Sequence, residues 1–177
     1  MNSYLYMEIK SNPQYLSKQY TVRELSVDDV DAIYELCSGN EQFYRYHPPF
    51  VTRESILDDL KSLPPGKTLA DKLFIGFYQE DTLIAVMDLI LGFPDDQTAF
   101  IGLFMMNAFF QGREIGSGII RECLEGLSKQ NYKKVRLAVD KGNPQSEHFW
   151  TKNLFVKTGE EFPVENTTLL PMERLLN

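Results

Sequence analysis

Residues 98–127, TAFIGLFMMNAFFQGREIGSGIIRECLEGL, restrict the fold more than any other part of the chain. TAFIGLFMM (98–106) is almost continuously apolar, the pattern of a strand buried on both faces or nearly so. Ile119, Ile120, Cys123, Leu124 and Leu127 then recur along one helical face. Between them, Gly112, Gly116 and Gly118 fall within seven residues. A strand that enters a helix through such a turn gathers free backbone N–H groups and the positive end of a helix dipole at one point, and that point attracts anions. Glycines let the amides approach a ligand without side chains in the way, and Arg113 adds a fixed charge able to hold two phosphate oxygens. A pyrophosphate is the natural cargo. The Gly-Lys-Ser/Thr signature of nucleotide P-loops is absent from this turn, and the glycine spacing does not fit GxGxxG. Taken alone, such a cluster serves close packing at a helix start equally well.

The rest of the chain supplies a mixed sheet. YTVREL (20–25) reads as a strand after a polar leader (1–19), and Ser26 caps a helix in which Val27, Val30, Ile33, Tyr34 and Cys37 recur at helical steps until Gly39-Asn40. EQFYRYHPPFV (41–51), stiffened by Pro48-Pro49, reads as a loop, and Thr52 caps a second helix that Pro64-Pro65-Gly66 ends. KLFIGFYQ (72–79) and LIAVMDLILGF (83–93) form a hairpin, followed by the strand at 98–106. After the glycine turn and its helix come a strand (133–140), a helix (143–153) and two strands (155–162 and 167–176). Alternation of this kind predicts an α/β mixed sheet, not a doubly wound parallel one. With 177 residues and no flexible linker, a single domain over 1–177 is expected, its core at about 20–175.

Charge and composition exclude several functions. A net charge of −7 without a basic aromatic cluster argues against nucleic acid. Residues 1–100 carry 16 acidic and 8 basic side chains, against 9 and 10 in residues 101–177, so an anionic ligand prefers the second half. No apolar run approaches the roughly 20 residues of a membrane span, and the amino terminus lacks a secretory pattern, so a cytoplasmic protein is expected. Two cysteines and two histidines, scattered, match no metal spacing; Cys37 and Cys123 read as buried thiols.

In its motifs the chain resembles the GNAT family of N-acetyltransferases. That family's cofactor motif, Gln or Arg, two variable residues, Gly, one variable residue, then Gly or Ala, follows the fourth strand; here FIGLFMM leads into Gln111, Gly112, Arg113, Glu114, Ile115 and Gly116. Glu114 stands where the first motif glycine belongs, and a second frame, Arg113 to Gly116 and Gly118, fits the formula as well. VRLAVDKGNPQSEHFWTKNLF resembles the family's fifth-strand and fourth-helix segment through Asn143, Ser146, Phe149, Trp150, Lys152 and Phe155, with Leu154 replacing a usual glycine.

The resemblance implies a GNAT-like fold with splayed fourth and fifth strands, and transfer of an acetyl group from acetyl-CoA, without a metal, to an amine by direct attack in a ternary complex. Backbone amides around Phe104, Met105 and Met106 would face the pantetheine arm and thioester, those of Gly112, Arg113, Glu114, Ile115, Gly116, Ser117 and Gly118 the pyrophosphate, and Asn143 the pantetheine. On this reading Gly116→Trp abolishes coenzyme binding and spares the fold. The usual tyrosine acid is replaced by Trp150, leaving Tyr44 or Tyr46, or unaided departure of the thiolate. Asp88 is the candidate base, or else a solvent-facing residue of an alternating strand. Glu41, Tyr44, Tyr46 and His47 are expected to meet the acceptor, a small-molecule amine. A protein amino terminus or lysine is the alternative acceptor, and a non-catalytic acetyl-CoA sensor the alternative function. Homodimers are common in that family.

Overall fold

The structure, a computed structural model, describes residues 12–177. Its centre is one eight-stranded sheet in the order β1-β2-β3-β4-β5-β8-β6, with β7 pairing on β8. The strands are β1 (Thr21–Glu24), β2 (Lys72–Gln79), β3 (Thr82–Leu91), β4 (Thr98–Met106), β5 (Lys134–Asp140), β6 (Val156–Lys157), β7 (Phe162–Pro163) and β8 (Thr168–Leu175). The helices are α1 (Val30–Ser38), α2 (Glu41–Tyr46), α3 (Arg53–Lys61), α4 (Ile115–Lys129) and α5 (Pro144–Lys152). All strand pairs are antiparallel except β4 with β5.

Alternation along the strands divides the core between two layers. Leu73, Ile75, Phe77, Met87 and Leu89 turn to one face, where α4 covers them with Ile119, Ile120, Cys123, Leu124 and Leu127. Phe74, Val86 and Met105 turn to the other, under Ile33, Leu36 and Cys37 of α1 and Ile56 of α3. Because both faces are covered, β2 and β3 read as largely apolar runs, with Asp88 interrupting the second. The thiols of Cys37 and Cys123 are buried, and burial pushes Cys37 up to about 12.

Four expectations need correction. The segment 41–51 begins with a helix, α2: the proline pair bars helix only around His47 and beyond, so residues 41–46 remain free to coil. The leader is not external to the core. A turn at Pro13–Leu16 buries Leu16 completely, and Ser17 Oγ donates to Glu122 of α4 at 2.8 Å. Residues 155–162 hold only the two-residue β6 and the first residue of β7. Finally, β4 is not buried throughout: Phe100, Leu103 and Phe104 are half-buried and Gly102 is exposed.

The last departure has a topological cause. β4 pairs with β5 over just four residues, Thr98–Ile101 opposite Lys134–Leu137. Beyond Ile101 the strands diverge, while β4 stays paired to β3 up to Met106 and β5 stays paired to β8 up to Asp140. The gap opens the interior of the sheet from its edge.

Candidate active site

Two cavities meet at that gap. One, of about 280 Å³, is lined by β4 (Phe104, Met105, Met106), the turn after it (Gln111, Gly112, Glu114) and the start of α4 (Gly116, Ser117). Phe149, Trp150 and Lys152 of α5 close it. The other, of about 310 Å³, lies toward α2 and α3 and is lined by Tyr44, His47, Asp59, Asp88 and Asp140 among others. Phe43, Phe104, Ser146 and Trp150 border both.

In the first cavity the backbone supplies the polar groups. The Asn107 amide donates to the Ile84 carbonyl on β3 at 2.8 Å, so by strand alternation the amides of Phe104 and Met106 face the other edge, which β5 has left. The Met106 carbonyl, on that same edge, accepts instead from Asn40 Nδ2 at 2.9 Å and Gln111 Nε2 at 3.2 Å. The first intrahelical bond of α4 runs from Gly118 N to Glu114 O, so the amides of Ile115, Gly116 and Ser117 have no helical acceptor. No side chain caps them from Glu114, the residue at the N-cap. An uncapped, cavity-lining helix start of this kind is suited to an anion.

Glu114 takes the left-handed conformation, φ 61°, and Gly112 precedes it at φ 74°. A side chain costs roughly 1–2 kcal/mol there. The Glu114 carboxylate pairs with Lys152 of α5. Leu154, at the other position where a glycine was expected, also has positive φ, 66°. Both substitutions keep glycine's backbone while replacing its side chain.

Several sequence-based assignments fall elsewhere. Arg113 stacks on Phe109, its guanidinium carbon 4.8 Å from the ring centroid, and does not line the cavity. Neither does Gly118, whose amide is engaged within the helix. The lining therefore follows the Gln111 frame. Ile115 contributes its amide position, its side chain packing against the core. Asn143 is wholly buried and caps α5, accepting from Ser146 N at 3.3 Å and donating to Ser146 Oγ at 3.0 Å, and it does not line the cavity. Gly116 is buried: a Cβ there would lie 3.3 Å from Phe149 and 3.5 Å from Met106. A tryptophan at 116 therefore disturbs the core as well as the cavity, contrary to the expectation that it spares the fold.

Tyr44 and His47 both line the second cavity, but Glu41 lines a separate polar recess with Gln42 and Arg45, and Tyr46 lines none of the three. Burial pushes the Tyr44 phenol upward, away from duty as a proton donor. Asp88 is not solvent-facing. Its Oδ2 lies 2.9 Å from Lys72 Nζ, which also donates to the Ser62 carbonyl at 2.8 Å, and its Oδ1 is buried without a hydrogen-bond partner. Burial raises the Asp88 carboxyl against the pull of Lys72. Gly102 leaves it room: a Cβ there would meet Asp88 Oδ2 at 3.1 Å. Asp59 and Asp140 escaped the sequence reading, since one lies on an ordinary amphipathic helix and the other ends a strand.

A sequence model of the acetyltransferase (GNAT) family matches residues 30–154. The chain belongs to the acetyltransferase (GNAT) family. Solved structures of GNAT acetyltransferases share its fold. An acetyltransferase from Thermus thermophilus superposes with a TM-score of 0.71 at 18% identity, over 90% of this chain and 98% of that one. The PaiA N-acetyltransferase of Thermoplasma acidophilum, in complex with coenzyme A, gives 0.63 at 16% identity, over 89% and 100%. A chimeric spermidine N-acetyltransferase from Vibrio cholerae gives 0.66 at 20% identity, over 89% and 96%. No curated protein matches significantly in sequence. Among the described residues of this GNAT chain, no helix is long and apolar enough to cross a membrane, and no three His, Cys, Asp or Glu side chains are grouped to hold a metal ion.

Proposed function

We propose that the protein transfers the acetyl group of acetyl-CoA to the primary amine of a small molecule, by direct attack within a ternary complex. The observation that carries this reading is the meeting of two unlike cavities at the β4–β5 gap. On the donor side, the amides at the start of α4 and of Gly112 would hold the diphosphate, and aromatic rings of Phe104, Phe110 and Phe149 would flank the arm. The amides of Phe104 and Met106 would face the thioester, where an N–H aimed at the carbonyl stabilises the developing oxyanion.

On the acceptor side, Asp59, Asp88 and Asp140 line a chamber closed by the aromatic residues of α2. Carboxylates there favour an ammonium, and the chamber's size favours a small molecule. Structures of like fold include both a spermidine N-acetyltransferase and a ribosomal-protein-alanine N-acetyltransferase from Brucella melitensis. The enclosed, acid-lined chamber points to the first kind of acceptor.

A screen of small amines with acetyl-CoA, followed by thiol release, tests the proposal. Thiol release with small amines, matched by acetylated product, is the expected result. Acetylation confined to proteins of a lysate would shift the acceptor to protein amines. Saturable acetyl-CoA binding without thiol release from any acceptor would make the protein a sensor.

A further inference from the structure

Immediately after α2 ends at Tyr46, His47 turns its ring toward β5, and its Nδ1 lies 2.9 Å from Oδ1 of Asp140. Asp140 is the last residue of β5 and its side chain is 5% exposed. Phe43 stacks on the imidazole, with centroids 5.4 Å apart and planes 30° apart. The ring is thus fixed at one edge and one face. A neutral imidazole that donates through Nδ1 to a carboxylate presents the lone pair of Nε2 on its far side. Among the described residues nothing bonds Nε2.

The position matters as much as the pairing. Asp140 lies beyond Leu137, where β5 has parted from β4, so it stands on the rim of the gap. His47 and Asp140 line the same cavity as Phe43, Phe104, Ser146 and Trp150, the residues shared with the donor side. The two other carboxylates of the chamber stand on α3 and on β3, a strand that pairs with β2 and β4 and not with β5. Asp88 is engaged by Lys72.

We propose that His47 is a catalytic residue, accepting the proton that the acceptor ammonium must lose, and that Asp140 is the positioning residue that holds it. This role rests on the transfer reading above. In the step, an N–H bond of the ammonium breaks and its proton goes to His47 Nε2. The freed lone pair forms the C–N bond with the thioester carbonyl carbon, and collapse of the tetrahedral intermediate breaks the C–S bond. The second nitrogen proton ends on the departing thiolate, and His47 releases the first to solvent. The products are amide, thiol and one proton. An alkyl ammonium near pKa 10 is almost wholly protonated at neutral pH, so an acceptor for its proton accelerates attack.

The groups facing His47 are Asp140 from β5, Asp59 from α3, and the Asp88–Lys72 pair from the sheet. The hydrogen bond to Asp140 raises the imidazole above its usual 6.5, burial opposes this, and the charges of Asp140 and Asp59 add to the rise. The base is competent when neutral, so wild-type kcat/KM is expected to rise with pH through a value above 6.5.

The test measures kcat/KM against pH for wild type, His47→Gln, Asp140→Asn and Asp59→Asn, using an amine acceptor from the screen, with acetyl-CoA Kd measured alongside. His47→Gln is expected to lower kcat about 100-fold at pH 7 and to abolish the rising limb. Asp140→Asn is expected to move that limb to lower pH with about a 10-fold loss in kcat, and both variants keep acetyl-CoA Kd within about twofold. The proposal is overturned if His47→Gln keeps the limb, or if the limb vanishes in Asp59→Asn instead. A wild type that binds acetyl-CoA but acetylates no amine overturns the transfer reading itself, and the proton role with it.

Discussion

Ser117→Glu is expected to weaken acetyl-CoA binding by about 100-fold or more, equivalent to about 2.7 kcal/mol, without loss of thermal stability. Ser117 is the third residue of α4 and lines the donor cavity. A carboxylate in the first turn of a helix is favoured by the dipole, by about 0.5 kcal/mol, which offsets the lost bond between Ser117 Oγ and Asn153 Nδ2. The same charge repels a diphosphate and occupies its amides. Fold and binding are therefore driven in opposite directions by one substitution, as Gly116→Trp cannot do. Calorimetry with thermal melting reads both. Unchanged affinity in a stable variant would place the diphosphate elsewhere.

The second large effect concerns the floor of the acceptor chamber. Lys72 and Asp88 have side chains only 3% and 14% exposed, and one Asp88 oxygen is already without a partner. Lys72→Met is expected to destabilise the fold by about 3 kcal/mol at pH 7, because a buried carboxylate loses its counter-charge. Burial already raises the Asp88 carboxyl, and removing Lys72 removes the opposing pull. A group whose folded pKa is raised contributes stability below its unfolded pKa and loses it as pH rises through the folded value. The deficit of Lys72→Met, relative to wild type, is therefore expected to shrink as pH falls from 7 toward 4. Urea unfolding at several pH values measures it, and a deficit that stays constant would remove Asp88 as its source.

The sequence made the sheet and donor loop legible because period and punctuation carry them. Apolar runs at 72–79 and 83–93 can be buried on both faces only inside a covered sheet, and a strand, glycine turn and amphipathic helix leave few alternatives. Glu114 and Leu154 were harder: their side chains hide the left-handed backbone that glycines would have announced. The helix α2 was concealed by the aromatic and proline content around it, although proline constrains only its end.

The acceptor chamber was the least legible part. Its carboxylates come from α3, β3 and β5, at positions 59, 88 and 140, and no local pattern links them. His47 stood out as a residue type, but its partner is 93 positions away. Conversely, Asn143 matched a motif position and proved to be a helix cap, since Asn before Pro144 and Ser146 suits an N-terminus as well as a ligand site. Arg113 was chosen for its charge, yet the turn directs it onto Phe109.

On the proposed function, main-chain amides where β4 gives way to α4 would hold the diphosphate of acetyl-CoA. Titration of the ¹⁵N-labelled protein with coenzyme A, followed amide by amide, tests it directly. The largest shifts are expected at Gly112 and from Ile115 to Ser117, with a second group at Phe104 and Met106. Saturable binding that leaves those amides unmoved and shifts others, or no binding at all, would contradict it.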